Sequence, residues 1–370
     1  MKATATPRIV QIGAVPPPYG GVSVHLSRLM ERLRHEGLAC QLIDISGISK
    51  QQDGVICLSW RKALMALLRH KSAIVHFHNF APRNLYPYSI LATRHRTVLS
   101  FHNERFAAEM KKYSAIEQGL FIRMLDNFDS IVVDSDANLE LARSLGISDT
   151  KLLVIPEFLL PSSLPNSVQS LPQEISELRT KHRCMLATNA FSLAFYRGED
   201  LYGIDLIIEL MGRLGEKSDL DVAAVILLPN PDNPEYLARL QSRIRELSIQ
   251  DRCLIVTTPL AETSLLWKNA DVVIRATNTD GNSMSILEAL ACGTPVIASD
   301  CVERHRAVQL FENRNVDSLT TTTLQVLANL EHHRSMAKAA QLEDNGAKFV
   351  ALYRRLLATF EFGTRPMEKS

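Results

Sequence analysis

Two acids, Asp280 and Glu288, stand with seven residues between them in the stretch TNTDGNSMSILEALACGTPVIASD, Thr277 to Asp300. The apolar run DVVIR precedes them, and an apolar helical pattern follows. Residues 278–283 therefore read as a strand-to-helix connection. Gly281 permits a positive φ or the close approach of a ligand. Free N–H groups at the start of the helix form a site for an anion. Asp280 is placed to accept hydrogen bonds from hydroxyls, and Glu288 lies about one and a half turns into the helix at ~3.6 residues per turn. A plainer reading uses the same residues: Ser283 caps the helix and Asp280 belongs to a turn.

Other residues carry chemistry of their own. In GAVPPPYGGVSVH, Gly20 and Gly21 precede a helix, where the backbone either approaches a ligand or merely turns, and His25 lies one turn in. In VLSFHNER, His102 ends a strand, with Asn103 and Glu104 beside it. Arg275 closes DVVIR, and Arg197 sits in a loop; each is either a charge-compensating group or a surface cation. Asp134 and Asp136 in DSD have a metal-binding spacing, but a strand precedes them and a helix follows, so a helix cap is the preferred reading. His76 and His78 share one face of a strand. Zinc needs three or four ligands, and no second ligand cluster lies nearby in sequence, so no metal is expected. Trp60 to Lys71, WRKALMALLRHK, is amphipathic with cations at both ends. It is either an ordinary surface helix or a contact with an anionic membrane.

These residues need a scaffold. Short β-branched runs (RIVQIG, SAIVHFH, RTVLSFHN, DSIVVDS, KLLVIP) alternate with longer amphipathic segments. That pattern predicts a parallel sheet covered by helices on both faces. The stretch Pro156 to Glu174, with four prolines and four serines, reads as a linker. The alternation then restarts with RCMLATN, DVAAVILLPN, RCLIVTT, DVVIRAT and TPVIASD. The expected architecture is α/β, with two Rossmann-like doubly wound domains facing across a cleft and ligands at the carboxyl ends of the strands. The expected boundaries are 1–160, a linker over 161–180, 181–345, and a final helical segment 346–370 packing back on the first domain.

Composition narrows the function. The 370 residues hold 41 basic and 40 acidic side chains, which argues against generic nucleic-acid binding. The N-terminus has no apolar core of signal-peptide length, and no run of eighteen apolar residues occurs to span a membrane. Six cysteines, none in a CxxC pair, read as reduced thiols of a cytoplasmic protein.

The spacing Asp280-x7-Glu288 followed by ALACGTPVIASD resembles the signature of GT-B glycosyltransferases of the retaining family 4 type, also described as glycosyl transferases group 1. The resemblance covers about twenty residues here, with positional support in the first forty. It implies transfer of a sugar from a nucleoside-diphosphate sugar to a hydroxyl acceptor. Asp280 then contacts the donor sugar, Glu288 the ribose, and the backbone at Gly281, Asn282, Ser283, Met284 and Ser285 the sugar and diphosphate. Gly20 and Gly21 present amides to the phosphate or acceptor, while His102, His25, Asn103 and Glu104 lie beside donor and acceptor. The chain departs from the pattern in two ways. The first acid is Asp rather than Glu, and the usual Arg/Lys diphosphate clamp is missing. Tyr202 stands at the lysine position, and the arginine position falls near Asn189, so Arg275 or Arg197 is expected to supply the charge. The resemblance implies front-face attack with retention, no metal and no other cofactor. It also implies work on surface polysaccharide, a lipid-linked acceptor, and peripheral contact with the inner face of the membrane. An inactive binding or scaffold protein on this fold, and an epimerase or hydrolase of sugar nucleotides, are the alternatives.

Overall fold

The computed structural model describes residues 8–17, 21–78, 85–102, 110, 112–159, 171–216, 220–260, 262–280 and 283–361. The chain divides into two compact units, Met1–Ser162 with Asp344–Ser370, and Ser163–Glu343.

The first unit is built on seven strands: β1 Ile9–Gly13, β2 Cys40–Asp44, β3 Val55–Cys57, β4 Ile74–His78, β5 Arg96–Phe101, β6 Ser130–Val133 and β7 Leu152–Val154. They pair in parallel in the order 3-2-1-4-5-6-7. Every residue of β1, β4, β5 and β6 is buried, as expected of parallel strands covered on both faces. The order reverses between β1 and β4, which opens a crevice at their carboxyl ends. Helices α1 Gly21–His35, α2 Trp60–Arg69, α3 Ala115–Leu125 and α4 Asp136–Ser144 and a 3-10 turn, Tyr86–Thr93, lie among the described residues. Ser114 and Glu117 close a reciprocal capping box on α3. Ser135 caps α4 through the Asn138 amide, and Asp134 accepts from the Asn138 side chain at 2.6 Å. The DSD motif is thus a helix start.

The second unit has six parallel strands, β8 Cys184–Asn189, β11 Val222–Leu227, β12 Cys253–Val256, β13 Val272–Arg275, β14 Val296–Ser299 and β15 Gln309–Phe311. Their order is 12-11-8-13-14-15, so the reversal falls between β8 and β13. A hairpin of β9 Phe195–Tyr196 and β10 Glu199–Asp200 stands apart from the sheet. The helices are α5 Gln173–Lys181, α6 Ile204–Gly215, α7 Pro234–Glu246, α8 Ser264–Asn269, α9 Met284–Ala291, α10 Val316–Ala328 and α11 Leu330–Lys338. The stretch expected as a linker over 161–180 is only partly that, since α5 occupies its end. Ile175 and Leu178, three residues apart on one helical face, pack against Met185 and Ala223. Residues 161–170 lie outside the described residues.

The last helix, α12 Asn345–Glu361, belongs to the first unit. Its Phe349, Val350, Leu352, Tyr353 and Leu356 pack with Leu29 and Leu33 of α1 and with Ile9, Ile74 and Val98 of the sheet. Strand alternation sends Val10, Ile12, Val75, Phe77, Leu99 and Phe101 to the opposite core. The same alternation delivers Gln11, His76, His78 and Ser100 to the face under α12. The register pairs Gln11 with His76 and His78 with Ser100. Phe349 is fully buried among these groups. Phe349→Ala is expected to lower unfolding free energy by about 3–5 kcal/mol. A urea titration showing a loss below about 1 kcal/mol would mean that α12 is not part of this core.

Candidate active site

Each sheet has its own reversal point. In the second unit, β13 ends on Arg275, beside Asn189 at the end of β8. The Arg275 guanidinium grips Asp280 with two bonds, Nε to Oδ2 at 3.0 Å and Nη2 to Oδ1 at 3.2 Å. Its Nη1 reaches the Asn189 carbonyl at 3.4 Å, and its cation lies 5.4 Å from the Tyr202 ring centre. Four residues singled out in the sequence, Asn189, Tyr202, Arg275 and Asp280, thus meet at one place. Arg197 does not join them; it is exposed at the tip of the β9–β10 hairpin, with φ 53° and its cation over Tyr196.

A second arginine was not foreseen. Arg304 Nη1 donates to Asp280 Oδ2 at 3.0 Å, and Nη2 reaches Thr277 Oγ1 at 3.3 Å. Thr277 itself donates to Asp280 at 3.1 Å. The Arg304 side chain is only 3% exposed and Asp280 10%, so two cations share one nearly buried carboxylate. Burial pushes the Asp280 carboxyl up, but Arg275 first and then Arg304 outweigh it and hold it below its ordinary value. Nothing in the spacing of VERHRAV distinguishes Arg304 from its neighbours; only the fold turns it toward Asp280.

Asp280, Ser283, Ile286 and Leu287 on one side and Arg304 and His305 on the other line a pocket of about 300 Å³. It opens beside the start of α9. Ser283 holds the N-cap position, but its hydroxyl pairs with that of Ser285 at 3.0 Å rather than with a backbone amide. Met284 is half-buried, and Gly281 and Asn282 lie outside the described residues. Glu288 is buried, with Oε2 accepting from Thr263 Oγ1 and from Trp267 Nε1, both at 2.9 Å. Those two donors, also absent from the sequence reading, orient it.

Beside this group, Asp200 is buried and accepts from the amides of Tyr202, Gly203 and Ile204 and from the Tyr236 hydroxyl. The start of α6 is therefore occupied by the protein's own carboxylate. Gly203 has φ +68°, and a Cβ there would lie 2.2 Å from the Ala276 carbonyl oxygen. Only glycine allows the loop carrying Tyr202 to lie against β13.

In the first unit, α1, β4 and β5 bring His25, His78 and His102 together, buried to within 3%. Gln11 Nε2 donates to the Tyr353 hydroxyl at 2.8 Å, so its Oε1 accepts from His78 Nε2 at 2.8 Å. His78 Nδ1 then accepts from His102 Nε2 at 2.9 Å. His102 Nδ1 lies 3.0 Å from Glu157 Oε1. His25 Nδ1 donates to the Glu157 carbonyl at 2.7 Å, and its Nε2 has no partner among the described residues. His76 bonds to Tyr353 and Ser100 instead. Burial first, with the nearby His102 second, lowers the His25 pKa to about 3, so this ring is neutral. Ligand nitrogens of His25, His78 and His102 lie within 4.8 Å of one another, the arrangement nearest to a metal site among the described residues. No spacing along the chain reveals this cluster, because His25 comes from α1, His78 from β4 and His102 from the end of β5. Two of the three nitrogens are already spent on each other. Gly21 opens α1; Gly20, Asn103 and Glu104 lie outside the described residues.

Residues 188–343 match the family model described as Glycosyl transferases group 1. The comparison with curated proteins finds no match. Among solved structures, Anabaena Alr3699/HepE in complex with UDP and glucose is similar at a TM-score of 0.63 and 14% identity, over 96% of this chain and 99% of that one. A glycosyltransferase from Rickettsia africae matches at a TM-score of 0.62 and 14% identity, over 94% and 98%. Sucrose-phosphate synthase from Thermosynechococcus elongatus matches at 0.62 and 15%, over 95% and 100%. With two parallel-sheet units, the fold is GT-B. The second unit carries a group 1 glycosyltransferase domain, and the protein is a glycosyltransferase.

Two outcomes test this geometry. Gly203→Ala is expected to cost more than about 2 kcal/mol, from the strained φ together with the carbonyl contact. A thermal melt within a degree of wild type would contradict the close approach. The Asp280 carboxyl, held low by its arginines, contributes stability that is complete above the ordinary carboxylate range and lost as pH falls through its depressed value. The stability gap between wild type and Asp280→Asn is therefore expected to shrink on acidification below about pH 4. A gap independent of pH in urea titrations would remove the charge pairing from the account.

Proposed function

We propose that the protein is a retaining glycosyltransferase of the family 4 type, moving a sugar from a nucleoside-diphosphate donor to a hydroxyl acceptor. The observation that carries this reading is the group of Asp280, Arg275 and Arg304 at the reversal point of the second sheet, with Glu288 eight residues on in α9. Support for the donor class comes from HepE, solved with UDP and with UDP-glucose.

The amides at the start of α9 orient the sugar, Asp280 fixes the two guanidinium groups beside it, and Glu288 holds the ribose. Arg275 and the start of α9 stabilise charge on the leaving diphosphate, in place of the missing Arg/Lys clamp. The bond from the anomeric carbon to the phosphate oxygen breaks as the acceptor oxygen attacks from the same face. The acceptor proton passes to the leaving phosphate oxygen, so the step balances without an enzymic nucleophile or a metal. His102 and His25 belong to the acceptor side in this reading, with a lipid-linked glycan of the bacterial surface as acceptor at the inner face of the membrane.

The test is calorimetry with a panel of nucleoside diphosphates, followed by mass spectrometry of the products and NMR of the anomeric configuration. One nucleotide is expected to bind, and a glycoside with retained configuration to form in the presence of EDTA. Arg275→Met should lower kcat by about a hundredfold or more. No binding across the panel would leave an inactive scaffold, whereas free sugar or an epimer would replace transfer with hydrolysis or epimerisation. Loss of turnover in EDTA, restored by a divalent metal, would overturn the metal-free course.

A further inference from the structure

The three buried histidines of the first unit form a nearly equilateral triangle. Ring centres stand 5.1 Å apart for His25 and His102, 5.2 Å for His78 and His102, and 5.8 Å for His25 and His78. One nitrogen of each ring is turned to an oxygen of the protein. His25 Nδ1 lies 2.7 Å from the Glu157 carbonyl, His78 Nε2 2.8 Å from Gln11 Oε1, and His102 Nδ1 3.0 Å from Glu157 Oε1. The other nitrogens are left to one another, and a ligand atom from each residue lies within 4.8 Å of the other two.

Histidines that bind metals are arranged in this way. The ring N–H away from the ion is held by a carbonyl or carboxylate, which fixes the tautomer and aims the lone pair of the other nitrogen. An N–H toward each of the three oxygens here leaves lone pairs on His25 Nε2, His78 Nδ1 and His102 Nε2. The last two meet at 2.9 Å. Two lone pairs come that close only with a cation between them, and a proton fills that place where no metal is bound. His25 Nε2 is fully buried and has no hydrogen-bond partner among the described residues. An unpaired buried polar atom is costly. One metal ion answers both features.

We infer that His25, His78 and His102 bind a divalent transition metal of the zinc kind, with a fourth position left for water. Imidazole nitrogens suit zinc, copper and nickel, whereas magnesium and calcium take oxygen ligands. Zinc–nitrogen bonds of about 2.0–2.1 Å in a tetrahedron set the nitrogens roughly 3.4 Å apart. His78 and His102 therefore separate by about 0.5 Å and His25 closes in. The ion takes the place of the proton between His78 and His102, which leaves to solvent. The Glu157 carboxylate offsets part of the added charge and orients His102. The ion has no part in the transfer step proposed above; it occupies His25 and His102 instead. The site is tested by binding alone, so it and that function can fail separately.

The experiment titrates the full chain, stripped with EDTA and dialysed, with Zn²⁺, Co²⁺ and Mg²⁺. Zn²⁺ is expected to bind even with Mg²⁺ in excess. Co²⁺ should give the visible bands of a four-coordinate ion without the ultraviolet charge-transfer band of a cysteine thiolate. Crystals soaked in Zn²⁺ should show an anomalous scattering peak between the three rings. Glu157→Gln removes only an orienting charge and should weaken Zn²⁺ about tenfold to a hundredfold. His25→Gln and His102→Gln each remove a ligand and should weaken it further. The adjacent histidines of α11 are the control, and His332→Gln/His333→Gln should bind as wild type does. The cobalt spectrum and the anomalous peak need only the wild-type chain, so the inference can be refuted even where a variant does not fold. No Zn²⁺ binding to wild type, a thiolate band, a peak only elsewhere, or binding lost with His332→Gln/His333→Gln but kept in His25→Gln would each overturn it.

Discussion

Parallel pairing constrains everything else in this molecule. When neighbouring strands run the same way, each connection must cross from the carboxyl end of one strand to the amino end of the next, usually through a helix. All the turns that leave strands then gather on one edge of each sheet. Both sheets here also reverse their winding once, between β1 and β4 and between β8 and β13. At a reversal the two connections diverge, and the gap is lined by whatever side chains end those strands. That is why Arg275 and Asn189 become neighbours though far apart in sequence, and why His78 meets a histidine from α1.

The two reversal points are filled by opposite electrostatic strategies. In the second unit the charges are kept. One carboxylate is shared by two guanidinium groups, leaving the group net positive, and a buried anion with such partners remains ionised. In the first unit burial suppresses charge. His25, His76 and His78 are each driven toward the neutral ring by desolvation, and polar atoms are satisfied through a chain running from Glu157 to Ser100. Tyr353 and Gln11 complete that chain, so α12 supplies hydrogen bonds as well as apolar area. A buried polar network of this kind is tolerated only when nearly every member is paired, and His25 Nε2 is the exception.

How much was legible in the sequence follows from how local each signal was. β4, β5 and β6 could be read because each carries a short aliphatic or β-branched run, IV, TVL and IVV, between polar residues. β2, β3, the β9–β10 hairpin and β15 were not, being either half-polar or only two or three residues long. The segment Tyr86–Thr93, between β4 and β5, forms a 3-10 turn with Pro87 near its start. Within the site, Asp280, Glu288, Arg275 and Tyr202 stood out because they lie on contiguous motif stretches. Arg304, Thr263, Trp267, Glu157 and Gln11 act through contacts between elements distant in sequence, and no spacing rule reaches them.

Asp280 shows what the shorter acid changes. A glutamate at this position would carry its carboxylate about 1.5 Å farther from the backbone. Aspartate keeps it close to the loop, within reach of Thr277, three residues earlier, and of Arg275 and Arg304 together. A carboxylate that accepts four bonds from three residues has little capacity left for hydroxyls of a ligand, since its two oxygens offer about four lone-pair sites. Its remaining influence is indirect, because it fixes where both guanidinium groups point. With Tyr202 and Asn189 uncharged, the positive charge at the reversal point comes from Arg275 and Arg304, both held by Asp280.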